Sequence, residues 1–332
     1  MNCPSPARSM YDVAEVAAMI AEGKTLVLAG CEAALDRLPR GRWIAGTTPY
    51  FMTAEQGGVV DEERLFVHPL PDVAGLAWLG LLDRDALPRF ADKGAGNGFT
   101  ILILPGGSEI AALYAVEGPQ WPGLYDRPVA GWVSAVAVER LGIETPKVYD
   151  GATGAKSDAE AVVLHVALPD THYAAVDIVT LFEPGDGPDL TFDTASFDTD
   201  DLRVDGVPTR LRDHVVAAGI DLRLPMIADY NGAMVNVALS PRPDGSLQAF
   251  APTFPDTVYR FARPVADIPS RLASIAPSDG PAPVFSCNCI CNWQYGELEG
   301  KRTGSFTGPV TFGEIAYILL NQTLVYLTVH EA

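Results

Sequence analysis

Basic side chains are scarce in this chain. Its 332 residues carry 23 lysines and arginines against 42 acidic residues, a formal net charge of −19. No basic stripe that could neutralise phosphates can be assembled from that balance, so nucleic acid is excluded as a partner. Anionic membrane surfaces are excluded on the same ground. Long apolar runs are missing too: no window approaches the ~20 apolar residues that span a bilayer. The first residues lack the basic region and continuous apolar stretch of a signal peptide. Cysteine is sparse and odd in number, five in all, at spacings unlike a disulfide framework; a reducing, cytoplasmic location is expected. No complete catalytic motif occurs either. Pro105-Gly-Gly-Ser-Glu109 follows an apolar stretch as a phosphate-cradling turn would. It has neither the Walker lysine nor the glycine spacing of a dinucleotide loop, and the chain holds no Gly-x-Ser-x-Gly elbow. These absences favour a binding module over an enzyme.

What is present reads as an ordinary globular protein, with 48% hydrophobic and 20% charged residues and a length that suggests about two domains. The spacing of Val13, Val16, Ala17 and Ile20 predicts a helix over residues 11–22, stopped by Gly23. Buried strands are expected at 25–29, 43–47, 65–68 and 99–104, with a helix through Leu35 and Leu38 and another N-capped by Ser108. Alternating strands and helices imply a sheet covered on both faces. From about Glu160 strands dominate: 161–168, 174–182, 226–239 and 247–254, with a Pro243-Asp-Gly-Ser246 turn. Leu202–Pro208 reads as a hairpin feeding a helix over 209–218, and a further helix at 265–275 precedes a Pro/Gly-rich turn at 276–283. The acidic stretch 183–201 reads as a linker. The fold class is therefore α/β to α+β, with domains at 1–185 and 186–332 and antiparallel strands concentrated in the second.

The last fifty residues are the densest in chemistry. Cys287, Cys289 and Cys291 alternate along PVFSCNCICNW. On a strand, residues two apart have Cα atoms ~6.6 Å apart, whereas two sulfurs on one tetrahedral zinc lie roughly 3.8 Å apart. One zinc therefore cannot take all three, and no metal is expected. Either they are small buried side chains packing under a helix, or Cys287 and Cys289 touch a ligand with Asn288 between them. Further on, Thr311 and Glu314 stand three apart, a capping box for a helix through Ile315, Ile318 and Leu319. Alternatively Glu314 receives a ligand amine or hydroxyl, with Gly313 letting the backbone approach. Asn321 and Thr323 sit where that element turns into the last strand, a place for satisfying neighbouring backbone or for contacting a ligand. Gly46, Thr47, Thr48, Pro49 and Tyr50 end a buried strand, where α/β sheets collect ligands.

Taken in order, WIAGTTPYF, LRVDGVPTRLRDHV, SPRPDGSLQAFAPTFPDTVYRFA, PVFSCNCIC, FTGPVTFGEI and LLNQTLVYL resemble the FIST family, a two-part intracellular sensory module. The resemblance implies small-molecule binding, with amino acids among the ligands, and in some members haem-based nitric oxide sensing. Such modules usually sit beside an output domain. None follows Ala332, so a separate signalling protein is expected. Haem would need an axial ligand from His68, His165, His172, His214, His330 or a cysteine, bound non-covalently since no Cys-x-x-Cys-His site exists. The expectation is thus a small molecule held in a cleft between the halves, lined by Gly46, Thr47, Thr48, Tyr50, Cys287, Asn288, Cys289, Gly313, Glu314 and Asn321. The competing expectation is a cysteine-dependent hydrolase or transferase with Cys287 as nucleophile.

Overall fold

In the computed structural model, residues 8–230, 233–274 and 281–332 are described. The chain is a mixed α/β protein whose sheets are mostly antiparallel, consistent with the α+β class. Three sheets form the body. The first joins Leu65–Pro69, Leu26–Gly30, Trp43–Thr47 and Val148–Asp150 in that order. In the second, Ile318–Leu320, Glu314–Ala316, Val129–Val133, Gly98–Leu104, Ala161–Ala167 and Gly75–Leu82 run side by side. The third orders His172–Thr180, Thr323–Glu331, Phe285–Cys289, Gly308–Thr311, Tyr50–Thr53 and Gly57–Val60. One apolar core cements them, with Val27 and Ile44 from the first, Ile101, Ile103 and Trp132 from the second, and Phe285, Cys287 and Val325 from the third.

A smaller lobe holds a six-stranded antiparallel sheet built around Met226–Tyr230 and Tyr259–Phe261, with its own core of Leu190, Leu211, Met226 and Tyr259. The expected boundary at 185/186 is bridged by strand pairing. Glu314–Ala316 pairs with residues 130–132 and Gly308–Val310 pairs with residues 50–52. The final strand, Thr323–Glu331, pairs along its whole length with His172–Thr180.

Several local readings hold. The first helix is Val13–Ala21, with a capping box between Asp12 and Glu15. Ser108 accepts the Ala111 N–H at 3.2 Å and caps Glu109–Glu117. Asp205 and Gly206, both at positive φ, close the 201–210 hairpin. Others are corrected. The segment 183–201 is not bare linker, for it contains Leu190–Thr191 and Ser196–Asp198, each paired in a sheet. The 226–239 stretch is a hairpin rather than one strand. The predicted turn at 276–283 lies outside the described residues over 276–280. No helix opens at Thr311. Glu314–Ala316 and Ile318–Leu320 form a tight hairpin turning on Tyr317 at φ 63°, and Glu314–Ala316 is also hydrogen-bonded to residues 130–132. Sheet pairing on both sides overrides the local capping signal.

Candidate functional site

The cysteine segment changes structure at its middle. Phe285–Cys289 is a strand, Cys289 is the N-cap, and Ile290–Gly296 is a helix. Cys287 and Cys289 are thus on the strand and Cys291 on the helix. They join different cores, Cys287 the central one and the other two a second cluster with Tyr50 and Trp293. That helix has two working faces. Asn292 points inward, its Nδ2 donating to Asn288 Oδ1 at 3.0 Å and to the Thr323 carbonyl at 3.2 Å. Ile290, Trp293 and Gln294 point to an open cleft.

The inward face borders a buried polar seam. The Glu314 side chain is fully buried, and its Oε2 accepts the Thr323 hydroxyl at 2.8 Å and the Thr323 N–H at 3.3 Å. Thr311 Oγ1 donates toward the Asn288 and Gly313 carbonyls at 3.4 and 3.1 Å. Asn321 Oδ1 accepts the Ala238 N–H at 2.7 Å, and the Gln322 carbonyl accepts Asn236 Nδ2 at 3.0 Å, which ties the smaller lobe to the body. Gln322 itself sits at φ 51°, a left-handed conformation costly for a side-chain-bearing residue. Among the described residues, Glu314 Oε1, Asn288 Nδ2, Asn292 Oδ1 and Asn321 Nδ2 are buried with no protein partner. Each such atom costs about 1–3 kcal/mol unless something satisfies it.

No cation faces Glu314. Burial, then the neighbouring Cys289 thiol, hold its carboxyl well above the ordinary range, against the opposing Thr323 hydrogen bonds. Burial, and after it the Glu314 carboxyl, push the Cys287 thiol up, and Cys289 is raised by burial and by Cys291. Cys287 Sγ donates to the Gly131 carbonyl at 3.3 Å. A nucleophilic thiol needs exposure, a lowered pKa and a base. Cys287 is 1% exposed with a raised pKa and a carbonyl partner, the opposite of those conditions.

The open cleft has a volume of about 570 Å³. Its lining includes Tyr50, Val60, Val138, Ile290, Trp293 and Leu298, with Glu139, Glu297, Glu299 and Lys301 as its charged groups. The Tyr50 and Trp293 rings lie 5.6 Å apart, tilted by 53°. Tyr50 Oη accepts the Val138 N–H at 2.9 Å, fastening the residue 138–140 turn to the Tyr50 strand. Gly58 makes the opposite wall possible: a Cβ there would lie 2.2 Å from the Leu298 carbonyl oxygen and 2.6 Å from the Trp293 ring. Backbone bonds from Gly58 N–H to Lys301 and from Gly300 N–H to Gly58 dock the 297–301 loop against the 57–60 strand.

Of the ten residues expected at the site, Tyr50 alone lines this cleft. Cys287, Asn288, Cys289, Gly313, Glu314 and Asn321 are drawn together, but in and around the buried seam. Gly46 packs against Trp132, where a Cβ would lie 2.7 Å from the indole nitrogen, and Trp132 is the cross-strand partner of Glu314. Thr47 Oγ1 accepts the Lys147 N–H and Thr48 Oγ1 donates to the Val310 carbonyl, so both fasten strand ends. Trp293, Val138 and the three glutamates were missed. The one sequence signal for them is an aromatic residue three positions after Ile290, together with the Gly57-Gly58 pair.

A second cleft of about 710 Å³ lies in the smaller lobe. Its charged lining is four aspartates and two arginines, with Arg203 3.3 Å from Asp193 and Arg210 3.2 Å from Asp201. Neither of these two clefts carries a histidine or cysteine in its lining, so haem does not fit either. His68 packs between Phe66 and Phe285, its pKa driven down to about 3 by burial. His165 is spent on Thr100 and the Phe90 carbonyl. No group of three or more metal-binding side chains occurs among the described residues.

Compared with known families, the chain matches a family of unknown function, DUF6976, over residues 11–330. The chain belongs to that family. This overturns the FIST resemblance. The short motifs that carried it have local explanations here, since Phe285 and Cys287 of Phe-Ser-Cys fill the central core and Gly-Glu-Ile opens a hairpin strand. The separate signalling partner rested on the same resemblance and loses its support. No curated protein matches the chain.

Proposed function

We propose that this protein binds a small molecule in the cleft walled by Tyr50, Val138 and Trp293. The observation that carries the reading is the cleft's make-up. It is a concave space of about 570 Å³ with an aromatic pair and aliphatic side chains among a few charged groups, within the range of small-molecule sites. The cleft in the smaller lobe is larger, but its lining carries a single aromatic side chain, Phe192, and both of its arginines are already held in ion pairs. Second support comes from behind the wall. The Ile290–Gly296 helix is held by Asn292 and its neighbours in the buried seam, so its cleft face is fixed before any ligand arrives. Glu314 belongs to that support and does not touch the ligand. Among the described residues the four cysteines, Cys31, Cys287, Cys289 and Cys291, are free thiols, which fits a reducing cytoplasm, and no helix is long and apolar enough to cross a membrane.

The test is two-dimensional NMR of indole N–H groups during addition of fractionated small-molecule extract, with Trp293→Phe to assign the resonance. A shift concentrated on Trp293, with buried Trp132 and Trp43 unmoved, supports the reading. Shifts confined to other tryptophans, or none from any fraction, overturn it.

A further inference from the structure

The cleft's chemistry also narrows its ligand, provided that the cleft is the binding site. Three carboxylates, Glu139, Glu297 and Glu299, stand in its lining against one ammonium, Lys301. That ammonium is already engaged. Lys301 Nζ donates to the Gly296 carbonyl at 3.2 Å and lies 3.8 Å from Glu297 Oε2. The nearest arginine along the 138–140 turn, Arg140, is bound to Glu144 at 2.8 Å and to Glu62 at 3.6 Å. An anionic ligand would therefore meet no uncommitted cation in the lining, and would approach a chain of net charge −19. A cation meets the reverse: surplus carboxylates, with two aromatic side chains, Tyr50 and Trp293, largely buried but in the cleft lining, a residue type that attracts positive charge. Val60, Val138 and Ile290 add apolar wall suited to a hydrocarbon or ring body.

We propose that the ligand is an organic cation, an ammonium group carried on a flat or apolar body, with the body against Tyr50 and Trp293 and the charge toward Glu297 and Glu299. Glu297 is 86% exposed on its side chain, so neutralising it does not threaten the fold.

Three probes of nearly one shape separate charge from shape: tryptamine, tryptophol and indole-3-acetate, titrated into the full chain by calorimetry. Tryptamine is expected to bind about tenfold more tightly than tryptophol, with indole-3-acetate weakest. The preference for tryptamine should shrink as salt is raised. The double variant Glu297→Gln/Glu299→Gln should lose that preference while keeping its affinity for tryptophol. Val60→Arg, at a half-exposed lining position, should block tryptamine and tryptophol. Equal binding of tryptamine and tryptophol, or preference for indole-3-acetate, overturns the cationic ligand and leaves the cleft standing. Failure of all three probes on folded protein overturns both.

Discussion

Replacing Glu314 by glutamine separates a structural carboxyl from a ligand-binding one. In the folded chain its pKa is raised, first by burial, while the unfolded chain gives it an ordinary value of about 4.3. The folded state therefore holds a proton that the unfolded state has released. Stability from this group is fully present below about pH 4.3 and falls as pH rises toward the folded value. One proton gives a slope of about 1.4 kcal/mol per pH unit in that window. Glutamine is shaped like the neutral acid and keeps an acceptor for the Thr323 hydroxyl and N–H, but it cannot ionise. Urea denaturation of wild type and Glu314→Gln at pH 5, 6 and 7 should thus show the variant gaining on wild type as pH rises from the unfolded value toward the raised folded one, by at most about 1.4 kcal/mol per unit. The facing titratable groups, Cys287 and Cys289, are raised thiols and stay neutral throughout. Glu314→Leu provides the contrast. It strips the acceptor from two donors of Thr323, at about 1–3 kcal/mol each, at every pH. Parallel pH profiles for wild type and Glu314→Gln would refute the neutral, buried carboxyl.

Acid should act on the histidines with the opposite sign. His68 and His165 are depressed to about 3 and about 4, chiefly by burial, so their contribution is present above about pH 6.5 and lost as pH falls. Each should cost about 2 kcal/mol at pH 5, and His68→Phe should flatten that loss in denaturant titrations; an unchanged acid limb would contradict it. Iodoacetamide at neutral pH, followed by peptide mass mapping, should leave Cys287, Cys289 and Cys291 unmodified until the chain unfolds. Rapid native-state labelling of Cys287 would revive it as a nucleophile. Tyr50→Phe removes the acceptor of the Val138 N–H and should cost about 0.5–1.5 kcal/mol in stability, and it should weaken ligand binding through the loosened wall; calorimetry and thermal melts check both.

The sequence yields the strands of the body because their signal is local. Trp43–Thr47 and Gly98–Leu104 are near-continuous apolar runs buried on both faces, and each stops at a turn residue. The hairpins at Asp205-Gly206 and Pro243-Asp-Gly were legible for the same reason, since glycine at positive φ marks the turn. Glu314 was misread because its partners are distant. Trp132 lies 182 positions away, yet it pairs with Glu314 across the sheet, and no window around Thr311 contains it. The cysteine alternation misled in another way, since the strand period stops at Cys289 where the helix begins.

The polar density of the last fifty residues pointed to a real feature, a seam of buried amides and a carboxyl. It did not point to the open surface. The cleft draws on Tyr50, Val60, Val138 and Trp293, four segments that the topology of the third sheet and the 138–140 turn bring together. Only Tyr50 among them was expected at the site from the sequence.

Native mass spectrometry of freshly purified protein, set against its denatured mass, tests the binding claim most directly when repeated on folded Trp293→Leu. The account predicts a reproducible non-covalent mass excess on wild type that vanishes on denaturation and is diminished in the variant. An equal excess on both proteins, or wild type carrying none, would contradict a ligand held between Tyr50 and Trp293.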